Sequence, residues 1–558
     1  MLKYITSQDG FAALIALIMM GMLTLLGMAA LSTSDDESNI AGNELQEMRA
    51  FYAAEAGLEH AAAQLQNEYV TTGLPPATMP SGTDSLNGCS VTYYTADNGP
   101  ASQENLEHGT LAGLHANVKS FTIIDTAVNH VDNARVVMSQ TFQTALIPIF
   151  QFAIFYGDAL EIAPGPDMNL IGRVHSNGDV FLQTGSSLNV DSYITAAGGI
   201  YHGRKPGCPQ ATANGDVNIK DADGNYISMR DGAGWLDAND ADWYDSSVGR
   251  WQGRVQDVSH GQEELNVPLV GAASGDPHLL IEPGTGNPDS YEHKATLKIV
   301  NDTAWYWADS AWYDVTDSLV DRGILQVVED DFYDGREGRN VDATNLNMGA
   351  LYDSTFNLSG VGVTDLAPRN GVIYHSSTDT AGTQFPALRL WNATELDTGL
   401  TVASFNPVYT WGEYNTVDKK PAALMGDAIT FLSDQWDDNK STWALSSRNK
   451  PNHTTVNASY MTGNVLTTNS NYSGGFENLP RFLEDWGSRN FNWRGSAVCL
   501  WDSRQATGTW SYGSFYKAPI RNWFYDTDLD DPANLPPETP MVRKFFRIGW
   551  QQEFVGYD

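Results

Sequence analysis

GFAALIALIMMGMLTLLGMAAL, residues 10–31, decides how the rest of this 558-residue chain is read. From Phe11 to Leu31 the only polar side chain is Thr24. A helix of that length crosses a hydrocarbon core of about 30 Å. Polar, helix-forming sequence follows from Ser32 to Tyr69, and the first proline is Pro75. One continuous rod on the order of 85 Å is therefore expected over 11–69. Its first half needs an apolar environment and its second half an aqueous one.

The remaining seven-eighths of the chain is of a different kind and dominates the composition of the whole. Sixty-eight acidic residues against 32 basic ones leave a formal net charge of −36. Such a surface repels nucleic acid and anionic lipid and keeps an exported protein soluble. Fifty-one glycines, 16 tryptophans and 24 tyrosines, with Asn and Asp at many turns, favour short strands over helices. Cys89, Cys208 and Cys499 are far apart and form no CxxC, which leaves zinc ribbons and thioredoxin-type redox chemistry without support. At most one intramolecular disulfide can form.

Three readings of the apolar run are open. Gly27-Met28-Ala29 could serve as the cleavage site of a secretory signal peptide. The run could be a permanent anchor. The third reading accounts for more residues: the leader MLKYITSQDG, with Lys3 its one cation, the Gly10-Phe11 junction and the continuing helix resemble the class III signal of type IV pilins. The resemblance implies cutting after Gly10 by a prepilin peptidase and N-methylation of Phe11. Residues 41–62, AGNELQEMRAFYAAEAGLEHAA, resemble the N-terminal helix of PilX-type minor pilins and K-type minor pseudopilins, with YAAEAG at Tyr52–Gly57 as the specific part. Phe51, Ala54, Leu58, Ala62 and Leu65 form an apolar stripe at three- and four-residue steps. Two positions depart from the pilin pattern. Asp9 precedes the cut, where a basic residue is usual, and the fifth residue after it is Ile15 where most pilins carry glutamate. In the family that carboxylate is thought to pair with a neighbouring subunit's amine. Its absence resembles the K-type pseudopilin and implies a tip or priming position.

Residues 70–88, rich in Pro, Gly, Ser and Thr, read as loop, and Ser90–Thr95, Asn117–Thr126 and Ala134–Thr144 as strands of a small antiparallel sheet wrapped on the helix. ALIPIFQFAIFY, 145–156, is too short for a second membrane span and reads as a buried strand or helix. From 160 to 203, short apolar pulses (Val174, Val180–Leu182, Leu188–Val190, Ile200) alternate with Gly, Asn and Ser, the grammar of a β-solenoid. The stretch Ile171–Asp179, IGRVHSNGD, resembles a segment that follows the pilin module in large PilX-type proteins. Residues 204 to about 370 read as an aspartate-rich insertion with strand pulses at His278–Ile281, Ala295–Val300 and Trp305–Trp312. Strand pulses then return at Leu388–Leu390, Leu400–Val402, Val408–Tyr409, Ala428–Phe431 and Val456–Tyr460. A β-sandwich is the alternative. Glu477–Trp486 reads as a helix, and Val542–Phe554 as a strand packed on the body.

Candidate chemistry is sparse. Asp221, Asp223, Asn225 and Asp231 in DADGNYISMRD could wrap Ca2+, the one cofactor considered and not a required one. A D-G hairpin turn explains the same letters. Asp237, Asn239, Asp242 and Asp245 read as a solvated loop. His175, Ser176 and Asp179 are a triad only on paper, and no GxSxG, HExxH, Walker or dinucleotide motif is present, so the chain reads as a non-enzyme. Trp305 and Trp307 share a face by period-two alternation and, with Trp312 nearby, could stack on sugar rings, although burial in the core explains them too.

The fold class expected is α+β, mainly β. A leader (1–10), a helix (11–69) and a β module (70–156) precede a large solenoid-like region (157–558). The function expected is that of a minor pilin, held in the inner membrane before assembly and displayed on a pilus or the cell surface after it. Gly21 and Gly27 would allow close helix approach in the filament core. Its partners would be other pilin subunits, the prepilin peptidase, inner-membrane assembly machinery and a surface polysaccharide or host surface, with no nucleic acid. The rival is an anchored or secreted β-solenoid that binds or cleaves polysaccharide outside any filament.

Overall fold

The computed structural model describes residues 8–72, 75–107, 109–269, 275–353, 365–378, 384–469 and 471–555. Lys3 and most of the leader lie outside the described residues. The chain divides into two compact units: Met1–Ser102 with Val118–Thr144 and Phe545–Asp558, and Gln103–Asn117 with Ala145–Lys544.

The first unit is built on one helix, Gln8–Thr72, of 65 residues. No Pro interrupts it, and Thr24 and Thr33 return their hydroxyls to the carbonyls of Met20 and Ala29, one turn back. From residue 11 to residue 45 every side chain is exposed. Beyond that one stripe goes under: Ala50, Ala53, Ala54, Leu58, Ala61, Ala62, Leu65 and Tyr69 are buried. The alanines let the helix lie close against a sheet whose buried face carries Cys89, Val91, Phe121, Ile123, Val136, Met138 and Phe142. Phe51, expected in the stripe, sits at its margin, half-buried.

That sheet runs in the order Ser81–Leu86, Cys89–Asp97, His115–Asn129, Arg135–Pro148, Met541–Val555. The first pair is an antiparallel hairpin closed at Asn87-Gly88, both in the left-handed region. It corrects the reading of 70–88 as loop, because Asn-Gly is a strong two-residue hairpin signal. The last strand also differs from expectation. It lies at the edge of this sheet, where Phe545 stacks on Phe142 at 5.3 Å and Arg547 pairs with Glu59 on the helix at 2.8 Å.

The second unit is β-rich and mostly parallel. Ile154 pairs with Val174 and Val174 with Ile194, so each strand lies beside the one twenty residues on. The same step repeats at Leu160, Val180 and Ile200. A third row joins Met168, Leu188 and Val217. These short strands are buried because their apolar residues line one continuous core, which runs from Ile154 to Trp523. Asn189 donates to Asn169 at 2.9 Å and Asn218 to Asn189 at 3.0 Å, a polar ladder along the outside of the third row. Gly178 and Gly198, twenty residues apart, sit at tight turns; a Cβ at Gly178 would lie 2.6 Å from the Ala159 nitrogen.

A twelve-stranded sheet has an unusual strand order. Ile154–Tyr156 lies inside it, flanked on one side by Val174–Ser176 and on the other by Ala497–Asp502. From the centre the chain works outward through Ile194–Ala196 to Val255–Gln256. It resumes at the opposite side with Leu297–Val300 and works back through Val372–Ser376, Leu400–Ser404, Ala422–Gly426 and Ser459–Asn464. An eight-stranded sheet, also mostly parallel, runs from Leu325–Asp334 to Ile520–Tyr525. Among the described residues, antiparallel pairing in the sheets built from Ile154 onward is confined to hairpins.

Three further expectations differ from the structure. Asp216–Lys220, Val255–Gln256 and Leu297–Val300, all inside the supposed insertion, belong to the stacked rows. Pro277–Leu280 is a 3-10 turn capped by Asp276, not a strand. Glu477–Trp486 is not a helix: a 3-10 turn at Phe476–Asn478 gives way to irregular chain in which Phe482, Leu483 and Trp486 are all buried. Pro480 removes an amide and restrains Leu479, and burial on several sides leaves no polar face.

Candidate functional site: an aromatic cleft at the edge of the large sheet

Leu297–Val300, Thr303–Ala308 and Ala311–Asp314 form an antiparallel meander at one edge of the twelve-stranded sheet. Asn301-Asp302 and Asp309-Ser310 make its two-residue turns, all four with positive φ between 43° and 65°. Along Thr303–Ala308 burial alternates strictly. Ala304, Tyr306 and Ala308 enter the core, while Trp305 is half-buried and Trp307 is exposed on the other face. Aromatic and β-branched residues suit such a strand, and period-two geometry sends the indoles outward.

The register sets the side-chain rows. Lys298 lies opposite Trp305, which lies opposite Asp314. Trp307 lies opposite Trp312, with ring centroids 5.2 Å apart and planes inclined at 58°. Lys298 Nζ is 4.1 Å from the centre of the Trp312 ring. These side chains form one wall of an open cleft of about 650 Å³. The other wall is Gly284, Gly286 and the short helix Tyr291–Lys294, with Glu292, His293 and Lys294 lining the space.

That second wall is fixed from beneath. Ser290 Oγ accepts from the His293 amide and Glu292 accepts from the Gly284 amide at 2.6 Å, closing the loop. Buried Tyr291 donates its hydroxyl to the Glu538 carbonyl at 2.7 Å. Lys294 stands 3.7 Å from the Glu538 carboxylate. Thr296 donates to Asn370 Oδ1 at 2.7 Å. The cleft thus offers two adjacent indoles, two ammonium groups, one imidazole and one carboxylate on a stiff frame. Of the tryptophans singled out from sequence, Trp307 and Trp312 line it, and Trp305 shares their face outside it. Lys298, Lys294 and His293 were not singled out. Their signal was only that they fall next to the aromatic run in an acidic chain.

Of the four residues considered for calcium, Asp221 and Asn225 meet, while Asp223 and Asp231 have other partners. Asp221 accepts from the Asn225 amide at 2.8 Å, which holds its carboxyl below the usual range and closes the Asp221–Asn225 turn. Asp223 accepts from Gln252 at 2.8 Å, and Asp231 pairs with Arg250 at 2.8 Å. Among the described residues no three His, Cys, Asp or Glu side chains gather to hold a metal. In the other acidic cluster, Asp237 is buried, accepting from the His202 amide, and Asp242 precedes the helix Trp243–Trp251.

His175 is buried between Thr195 Oγ at 2.8 Å and Asn177 Oδ1 at 3.0 Å, while Ser176 donates to the Asp158 carbonyl and Asp179 accepts from the Gly199 amide. Burial pushes the His175 imidazole down to about 4, so it is neutral at physiological pH. The carboxyls most raised by burial in this unit are committed to structure. Glu484, pushed up to about 7, accepts from the Ser433 amide and hydroxyl, and Glu477, also about 7, accepts from the Ala163 amide. All three cysteines are free thiols.

On the helix, Phe11 and Ile15 are exposed, and no atom lies within 4 Å of a Cβ built at Gly21 or Gly27. By length and composition the helix can cross a membrane.

No protein-family model matches the chain, and no curated protein matches it in sequence. Among solved structures, the competence-associated pilin ComZ from Thermus thermophilus is similar at a TM-score of 0.26 and 10% identity, covering 92% of this chain and 98% of that chain. A likeness of that degree carries no weight by itself.

Proposed function

We propose that this chain is a minor subunit of a type IV pilus or a related filament, displaying a β-solenoid body on a membrane-derived helix. The observation that carries the reading is the division of the N-terminal helix. Residues 11–45 are exposed, and apolar as far as Leu31, whereas Ala50–Tyr69 bury one stripe on an antiparallel sheet. An apolar half-helix with no partner among the described residues needs lipid first and other helices later. Gly21 and Gly27 have open space for such neighbours. The Gly10-Phe11 junction and the YAAEAG segment supply the rest of the argument from sequence. The parallel rows at twenty-residue steps support the solenoid reading of the body.

In this reading a prepilin peptidase cuts after Gly10, the inner-membrane assembly machinery lifts the helix into a filament, and Ile15 in place of glutamate places the subunit at the tip. Mass spectrometry of the mature N-terminus tests the mounting. N-methyl-Phe11 is the expected result. A start near Ala30 points to a signal peptide and an intact Met1 to a plain anchor, and either sinks the pilin reading. Gold labelling evenly along filament shafts would remove the tip assignment while leaving the pilin. The aromatic cleft favours one feature of the rival reading, recognition of polysaccharide, without requiring cleavage.

A further inference from the structure

We infer that the cleft between the Trp307–Trp312 wall and the Tyr291–Lys294 helix binds a carboxylated polysaccharide, a chain containing uronic acid rings. The inference is independent of how the chain is mounted.

The first argument is exposure. This protein buries Trp243, Trp251, Trp436, Trp486, Trp493, Trp501 and Trp523. Trp443 and Trp550 are more exposed, at 49% and 54%, but Trp307, 38% exposed, is paired with the half-buried Trp312. Leaving two neighbouring indoles toward water forgoes hydrophobic stabilisation that the same residues gain elsewhere in the fold. The negative face of an indole suits the C–H hydrogens on the flat side of a sugar ring. Trp307 and Trp312 together offer such a platform.

The second argument is charge. In a chain of net charge −36, Lys298 has no carboxylate partner among the described residues and stands over the Trp312 ring. Lys294, shared with Glu538 at 3.7 Å, and His293 line the same cleft. An unpaired ammonium at an aromatic platform repels a cationic ligand and attracts an anion. A small inorganic anion has no use for the indoles, and any polyanion meets the repulsion of the acidic surface, so the ligand must offset it by stacking on them. The ligand that uses both features carries a carboxylate on a ring with an apolar face. Glu292, on the opposite wall, remains to accept from sugar hydroxyls.

The third argument is space. About 650 Å³ lies within the range of roughly 300–1,000 Å³ typical of ligand sites. The cleft is open, so a polymer can pass through. Its walls are held by the two-residue turns and by the Tyr291 and Glu292 hydrogen bonds, so little ordering is needed on binding.

The experiment uses the full chain in detergent micelles, titrated with tetragalacturonate and, in parallel, with uncharged cellotetraose. Indole fluorescence and calorimetry are the readouts. Tetragalacturonate is expected to bind at least about tenfold more tightly than cellotetraose, and to weaken as salt is raised. Trp307→Ala should weaken it by about tenfold or more, and Trp307→Phe should restore part of the loss. Lys298→Gln should remove most of the preference for the charged sugar while leaving weak binding of both. Trp307 and Lys298 are not core side chains, and unchanged melting of each variant shows that the fold is intact. Absence of tetragalacturonate binding at millimolar concentration overturns the inference. So does equal binding of the two sugars, or binding that Trp307→Ala leaves unchanged.

Discussion

Asp125 offers the sharpest test of how the first unit is held together. It lies on His115–Asn129, fully buried on the helix-facing side between Ile123 and Ala127. Among the described residues neither carboxylate oxygen has a hydrogen-bond partner. Burial pushes its carboxyl up to about 7 from 3.8. The folded unit therefore keeps a proton that the unfolded chain gives up near pH 4. Stability falls as pH rises between about 4 and 7 and is level above that. Roughly three pKa units at about 1.4 kcal/mol each give a pH-linked loss on the order of 4 kcal/mol. Asp125→Asn keeps the shape and cannot ionise. At pH 8 the variant should be more stable by an amount of that order, and at pH 4 the two proteins should be nearly equal. Because the chain has two units, local hydrogen exchange in the peptide spanning residues 50–69 is a cleaner readout than a whole-chain melt. A variant whose advantage does not change with pH, or which is less protected at pH 8, would refute the reasoning.

Gly57 faces the same carboxylate: a Cβ there would lie 1.9 Å from Asp125 Oδ2 and 2.5 Å from Val91 Cγ1. Gly57→Ala should therefore destabilise the first unit by about 1–3 kcal/mol despite the better helix propensity of alanine, and faster exchange over residues 50–69 is the check. Asp427, buried in the second unit, accepts the amides of Arg504, Gln505 and Ala506, the last at 2.7 Å. Asp427→Ala leaves those donors unsatisfied and should cost on the order of 3 kcal/mol, measured as a lower urea midpoint. Chelation with EDTA should leave the melting of the second unit unchanged, since Asp223 and Asp231 already have protein partners. A drop of several degrees, reversed by Ca2+, would restore the calcium reading of that loop.

What the sequence made legible depended on how local the signal was. The helix, its buried stripe at Ala54, Leu58, Ala62 and Leu65, and three strands of the first sheet follow from periodicity within a few turns or residues. The Asn87-Gly88 hairpin was equally local but was hidden inside a run of Pro, Gly, Ser and Thr. Gly57 could be seen in YAAEAG, but its reason sits on a strand about seventy residues away. Strands such as Val180–Leu182 and Leu400–Ser404 could be read one at a time. Their neighbours could not, because parallel pairing joins residues through long loops and Ile154 pairs with Ala497 as readily as with Val174. The outward face of Trp305 and Trp307 followed from alternation, whereas the cleft also required the Tyr291–Lys294 helix, whose approach no local pattern encodes. Pro480 was the warning against a helix at Glu477–Trp486, and in a chain of short buried segments it outweighs an amphipathic appearance.

The order of the twelve-stranded sheet bears on how the body carries tension. Its first strand, Ile154–Tyr156, lies next to its last in sequence, Ala497–Asp502, and the Ile149 amide bonds to the Pro540 carbonyl at 2.9 Å. The chain thus enters and leaves this unit at a seam inside the sheet and not at its edge strands. A pull through that seam cannot peel the repeats off one at a time from an end. With a ligand gripped at the Trp307–Trp312 edge, the force would run through the strands between Leu297–Val300 and Ala497–Asp502. The strands from Val174–Ser176 to Val255–Gln256 lie on the other side of the seam and would be slack. One half of the sheet would act as a cable and the other as ballast, a division that single-molecule pulling can read as unequal rupture of the two halves.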